Sequence, residues 1–221
     1  MTSRQLLIPV LAGVLALPVA LRADDDRLKT AETVLREMAG ASDKGVAEGL
    51  IQKAKCIVII PGVKKGAIGV GGQYGRGYIS CRKDGGSGWS APGGIRIEGG
   101  SIGLQLGGTD TDVLMLVMND RGVDRMLASK FTVGADAAVA AGPVGRQATA
   151  QTDATMMAEI LAWSRARGVF AGISLQGSTL REDGSENKAL YGKEMTNKEV
   201  VKGNTPVPKS AESLIAFLSK Y

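Results

Sequence analysis

The chain contains no histidine, and that absence removes much of enzyme chemistry. No serine–histidine pair can form, the commonest general base at neutral pH is missing, and imidazole zinc sites are excluded. Only two cysteines occur, Cys56 and Cys81, and two thiolates alone do not complete a tetrahedral metal site. Asp110, Asp112, Asp120, Asp136 and Asp153 lack the dense oxygen-ligand spacing of a calcium loop and read as cap and turn residues. Asp136, beside Gly134 and flanked by alanines, is the one whose burial would reopen that question. No metal or other cofactor is therefore expected. Aromatic residues are scarce at 4%, against 31 glycines, which points to close backbone packing and many turns.

Long apolar runs are also rare. The one candidate, residues 6–21, follows Arg4 and is broken by Pro9, Gly13 and Pro18. Charged start, modest apolar stretch and small residues before an acidic segment fit a secretory signal peptide rather than a membrane span. Residues 1–23 are read as that signal, with cleavage after Ala23 or, alternatively, Ala20. Residues 24–221 then form one domain. Removing Arg4 and Arg22 from the 27 basic residues leaves 25 against 22 acids, a net charge of +3. That is too mild to indicate nucleic acid as a partner. In a periplasmic or secreted chain the two cysteines could pair, or sit as buried free thiols; both readings stay open.

What is present alternates between helix and strand signals. Leu28, Ala31, Leu35 and Met38 recur at helical spacing behind Asp24–Asp26, predicting a helix that Gly40 ends. A shorter helix is predicted over residues 46–54. "CIVII" (56–60) is a β-branched strand that Pro61-Gly62 should end. "AIGVGG", "GRGYISCRK" and "GGIRIEGGSIGLQLGG" follow, and "TDVLMLVMN" (111–119) reads as a strand buried on both faces. Val123, Met126 and Leu127 mark a short helix. "AEILAWSRARG" (158–168) is ambiguous between helix and strand, and residues 169–181 favour strand. A short helix after Asn187 precedes a terminal one bearing Ala211, Leu214, Ile215 and Leu218. The expected fold is α+β, a single domain with a glycine-rich, mainly antiparallel sheet or partial barrel between N- and C-terminal helices.

The glycines suggest two ligand motifs, and neither survives. A dinucleotide fingerprint from Gly69 and Gly71 needs glycine where Tyr74 stands, and from Gly75 and Gly77 where Ser80 stands. Parity accounts for them better: Arg76, Tyr78, Ser80 and Arg82 share one strand face, and Gly77, Ile79 and Cys81 the other. Glycines there let neighbouring backbone approach closely. "GGSIG" (99–103) has the spacing of a nucleophile elbow, but strand pattern continues beyond it and no histidine exists. No catalytic residue is expected.

Charge distribution is more telling. Lys53, Lys55, Lys64, Lys65, Arg76, Arg82, Lys83 and Arg96 face a single acid, Asp84, within residues 53–96. Such a segment is either a lipid-attracting patch or a solvated surface with charges pointing several ways.

The blocks "AKCIVIIPGVKKGAIGVGGQYGRG", "GSGWSAP", "GGSIGLQLGGTDTDVLMLVMNDRG" and "SKFTVGADAAVAAGPVGR" resemble the SYLF domain family, from about Asp24 through "NKALYG". The resemblance implies a lipid-binding domain, with phosphoinositides as ligands and actin-binding yeast relatives, acting through a basic surface and an N-terminal amphipathic helix. Lys64, Lys65 and Arg76 lie in the matching blocks; Arg82, Lys83 and Arg96 follow from charge. With its leader and without an attached zinc finger or Src-homology module, the chain resembles an exported bacterial branch. The expectation is a non-enzymatic protein, peripherally associated with anionic phospholipid membranes. Actin is then not expected as a partner. The alternative is a structural or protein-interaction module of the cell envelope.

Overall fold

Residues 56–60 are all buried, so their strand must be covered on both sides, and the two sets of neighbours define the architecture. The computed structural model describes residues 19–40, 44–68, 70–83, 85, 88–101, 109–144 and 158–221. Helix α1 (Val19–Gly40) and α2 (Lys44–Lys53) lead into β1 (Cys56–Ile68), β2 (Val70–Cys81), β3 (Gly93–Ser101) and β4 (Thr109–Val117). After α3 (Asp120–Met126) come β5 (Lys130–Thr132), β6 (Val139–Ala141), β7 (Ile160–Ala166), β8 (Val169–Gly172) and β9 (Thr179–Glu182). The chain ends in α4 (Gly184–Tyr191), α5 (Asn197–Lys202) and α6 (Glu212–Leu218). The described strands form one sheet in the order β5-β9-β3-β2-β1-β4-β7-β6, with β8 on β7. Among these strands only β6 and β7 pair in parallel. The sheet curls into a half-barrel with helices at both termini, as the sequence led us to expect.

Alternation sorts the side chains into two cores. Ile57, Ile59, Tyr78, Leu114, Leu116, Leu161 and Trp163 face outward and pack on Leu28, Leu35, Leu214 and Leu218 of α1 and α6. Val58, Ile60, Ile79, Ile95, Ile97, Val113, Met115 and Val117 face the inside of the curl with Val123, Met126, Phe131 and Leu180. Each fully buried aliphatic side chain contributes about 1.5–3 kcal/mol of transfer free energy. Within residues 158–168, undecidable by periodicity, Ile160–Ala166 form strand β7 because they slot beside β4 and contribute to both cores.

Three boundaries differ from expectation. Strand β1 does not stop at Pro61-Gly62 but runs through it as a bulge, with the register shifting against both β2 and β4. Gly62 adopts a left-handed φ of 59°, and its N–H donates to Asp112 Oδ1 at 2.9 Å on β4. That side-chain acceptor replaces a lost ladder bond and lets the strand continue. Helix α1 begins at Val19, upstream of the expected cut, so Asp24–Asp26 lie within the helix rather than at its start. The expected strand over 169–181 divides into β8 and β9 around a turn where Gly177 has φ 76°. "GGSIG" is in β3 as far as Ser101, and its last two residues lie outside the described set.

Gly75 and Gly77 of β2 are packing residues. A Cβ on Gly75 would lie 2.8 Å from Val63 Cγ2, and one on Gly77 would fall on the Ile59 carbonyl and 2.6 Å from Ile60 Cα. The bulged β1 occupies the room that side chains would need. At the far end of the same hairpin, Cys56 and Cys81 stand opposite each other and are joined by a disulfide. Both cysteines are buried.

Candidate anion-binding site

The six basic residues singled out from the sequence fall into two groups at opposite ends of the β1–β2 hairpin. Arg82 and Lys83 follow the disulfide at one end. Lys64, Lys65, Arg76 and Arg96 lie toward the other, six or more positions from Arg82 along β2, roughly 20 Å in an extended strand.

At the disulfide end, Arg82 is the organiser. Its Nε donates to Ala54 O at 3.0 Å, and its Nη2 to Ile51 O, Gln52 O and Tyr221 O at 3.2, 3.0 and 3.1 Å. These acceptors include the last carbonyls of α2, which have no partner inside the helix and favour a cation there. The guanidinium also stacks 4.6 Å from the Trp89 ring centre. Burial holds its pKa below the usual arginine value. Arg82 thus ties α2, β2 and the C-terminal residue together. Around it a cavity of about 270 Å³ is lined by Lys53, Lys55, Lys83 and Lys202, by both cysteines and, among the described residues, by one acid, Asp120. Lys53, Lys55 and Lys83 are exposed. Lys55 Nζ reaches Asp120 at 3.3 Å, an exposed pair of small energetic weight. Among the described residues the exposed Lys53 and Lys83, with Lys55 and Arg82 beside Asp120, give this end a local excess of positive charge.

The other end is more balanced. Lys64 is exposed on β1 opposite Tyr74 and Asp110, and Lys65 points to the opposite face of the strand. Arg76 is held from inside: its Nε donates to Asp183 Oδ2 at 2.5 Å, and its Nη2 to Ser185 Oγ at 2.7 Å, with Glu186 Oε2 at 3.3 Å. Arg96 is the register partner of Arg76 on β3 and reaches Glu98 at 2.7 Å. Asp183 and Glu186 are each about 1% exposed. Burial would raise the Asp183 pKa, but hydrogen bonds from Arg76 and Ser185 outweigh it and hold the carboxyl below its ordinary value. The bond to Asp183 in turn raises Arg76. Tyr78 donates to Glu186 Oε1 at 2.6 Å, and burial, reinforced by that carboxylate, pushes its pKa up. Arg27 of α1 completes the network, 2.7 Å from Glu186 Oε2.

Two expectations change here. The apolar face of α1 is not available for membrane insertion, because Leu28, Ala31, Leu35 and Met38 are 0–4% exposed against the sheet. Glu37 of the same helix is clamped by Arg165 at 2.6–2.7 Å. Arg76, taken as a surface contact, is chiefly an internal tie between β2 and α4. Lys53, Lys55 and Lys202 join the site in its place; the first two were visible as charge in the basic segment, while Lys202 comes from α5 and no local signal indicated it. Asp136 is exposed and closes a turn by accepting from Thr132 N at 2.7 Å. Asp112 serves the bulge and Arg165, and Asp153 lies outside the described residues. Among the described residues no group of three or more His, Cys, Asp or Glu could hold a metal ion. No helix among them is long and apolar enough to cross a membrane.

Residues 98–221 match the model of the family described as "Ysc84: Las17-binding protein actin regulator". An SH3 domain-containing protein of fission yeast is 33% identical over 188 residues, 83% of this chain and 43% of that protein. The human SH3 domain-containing YSC84-like protein 1 is 31% identical over 87% of this chain and 58% of its own length. The LAS seventeen-binding protein 3 of baker's yeast is 31% identical over 80% of this chain and 39% of its own. The chain therefore spans about half the length of the relatives it matches. The family description names a Las17-binding actin regulator, and the name of one yeast relative also carries LAS seventeen binding, which leans against the expectation that actin is no partner.

Proposed function

Since the chain belongs to the Ysc84/SYLF family, we propose that it is a non-catalytic binding domain whose disulfide-end lysine cluster docks on anionic phospholipid surfaces. The observation that carries this reading is the cavity at the end of the β1–β2 hairpin, where the exposed Lys53 and Lys83 stand with Lys55 around the scaffold residue Arg82. Arg82 fixes the backbone that carries the lysines, so binding has only their side chains left to order. Each lysine near an anionic surface contributes about 1 kcal/mol. Recognition is electrostatic and weakens as salt rises. With the leader-like N-terminus, the periplasm or cell exterior is the proposed location, and anionic bacterial phospholipids are the proposed partners.

Liposome co-sedimentation of the protein tests this. Binding is expected to anionic and not to neutral vesicles, and Lys53→Ala with Lys83→Ala should weaken it roughly 30-fold, about 2 kcal/mol. Lys64→Ala with Lys65→Ala should have the smaller effect, because Asp110 lies opposite Lys64. Equal binding to both vesicle types, or none, would overturn the proposal. The second reading, a protein-interaction module, is favoured by the family description, which names an actin regulator. Co-sedimentation with filamentous actin that survives the loss of Lys53 and Lys83, with no vesicle binding, would select it.

A further inference from the structure

We propose that the outer face of β2-β3-β9-β5 is a second docking surface, separate from the lysine cluster, that takes a carboxylate-rich segment of a partner protein. Arg76 stands opposite Arg96, Arg96 opposite Arg181, and Arg181 opposite Lys130. Directly opposed residues share a face, so these four cations form one row across four strands, about 14 Å at ordinary strand spacing. Like charges directly opposite one another destabilise a sheet. Arg76 is relieved by Asp183 and Glu186. The rest of the row is not relieved to the same degree. Among the described residues Glu98 alone lies between Arg96 and Arg181, with its oxygens 2.7 and 3.3 Å from the two Nε atoms. Neither Nε–H is aligned on an acceptor, and both atoms are shielded from water. Lys130 extends the row onto the outermost strand of the described sheet and is exposed.

The seated Glu98 carboxylate shows which chemistry the row accepts. Guanidinium forks suit carboxylates in the bidentate manner that lysines do not reproduce. One position further along the same face stands Tyr74, 49% exposed and the register partner of both Lys64 and Glu98. Exposed tyrosine beside arginines is the composition of protein-binding hot spots. The row therefore fits an acidic polypeptide carrying an apolar side chain for Tyr74, rather than a bilayer.

Fluorescence anisotropy with a labelled Asp/Glu-rich peptide containing leucine tests the assignment. Arg181→Ala and Tyr74→Ala should each weaken binding roughly tenfold, while Lys53→Ala with Lys83→Ala should leave it unchanged. Glu98→Gln should strengthen it, because an internal competitor is removed; a purely structural Glu98 would give no gain. Circular dichroism melting of each variant separates lost binding from lost fold. The proposal is overturned if the peptide does not bind the wild-type protein, or binds every row variant equally. It is also overturned if Glu98→Gln and Arg181→Ala alter vesicle binding and not peptide binding, which would make the row a lipid surface. Failure of the lysine-cluster variants to affect vesicles would refute the lipid reading and leave this one standing.

Discussion

Glu186→Ala is expected to destabilise the domain by about 3–5 kcal/mol, seen as a lower midpoint in urea or thermal unfolding. The carboxylate is buried and touches Arg27, Arg76 and the Tyr78 hydroxyl within 2.6–3.3 Å. Alanine leaves two partly buried guanidiniums with diminished counter-charge and a buried phenol without this acceptor. The penalty is that of stranded charge, not the worth of one pair. Glu194→Ala is the contrast: its pair with Lys188 is open to solvent, so the change should stay within about 0.5 kcal/mol. Equal midpoints for the two variants would show that the network does not hold α1, β2 and α4 together.

Asp183 gives the same network a pH signature. Its folded-state pKa lies below the ordinary carboxylate value, so its ionisation contributes stability above the unfolded value of about 4, lost as pH falls through the folded value. Asp183→Asn should therefore cost most near neutrality, and the gap from wild type should narrow below about pH 4. Urea midpoints across that range measure the gap. A constant gap would mean that the side chain's ionisation contributes nothing.

These partners explain how far the sequence could be read. The apolar runs in residues 56–60 and 111–119 are local, and they placed two double-sided strands correctly because burial on both faces leaves a continuous apolar run. The bulge at Pro61-Gly62 was not legible, since its hydrogen-bond acceptor, Asp112, arrives from another strand. Residues 158–168 were undecidable for the same reason: a short apolar run suits either period until its neighbours are known. Charge was legible as a sum and not as a field. Arg76 reads as a surface cation until Asp183, 107 residues later, is seen beneath it. The arginine row escaped notice altogether because Arg96 and Arg181 become neighbours only through strand order. Lys53 and Lys55 carried a local signal, and the fold brought them to Arg82 by pairing the two ends of the hairpin.

Gly77→Ala is expected to cost about 3 kcal/mol, the upper end for overpacking, and to lower soluble yield. The new methyl group would overlap the Ile59 carbonyl and lie 2.6 Å from Ile60 Cα and 2.8 Å from Ile59 C. A flexible side chain could move aside, but these are backbone atoms of β1. Ile59 and Ile60 are also paired with Leu114 and Val113 of β4, so a shift of β1 away from β2 compresses its other neighbour. Central strands have no free side on which to relax. Gly66→Ala is the matched control, because a Cβ on this β1 glycine would meet nothing within 4 Å. It should be neutral or mildly stabilising through reduced freedom of the unfolded chain. The pair separates close packing from ligand contact as the reason for glycine in this hairpin. Lost stability at Gly77 with none at Gly66 fits packing. Gly77→Ala with a wild-type melting temperature and impaired binding would mean that the backbone was kept bare for a ligand instead.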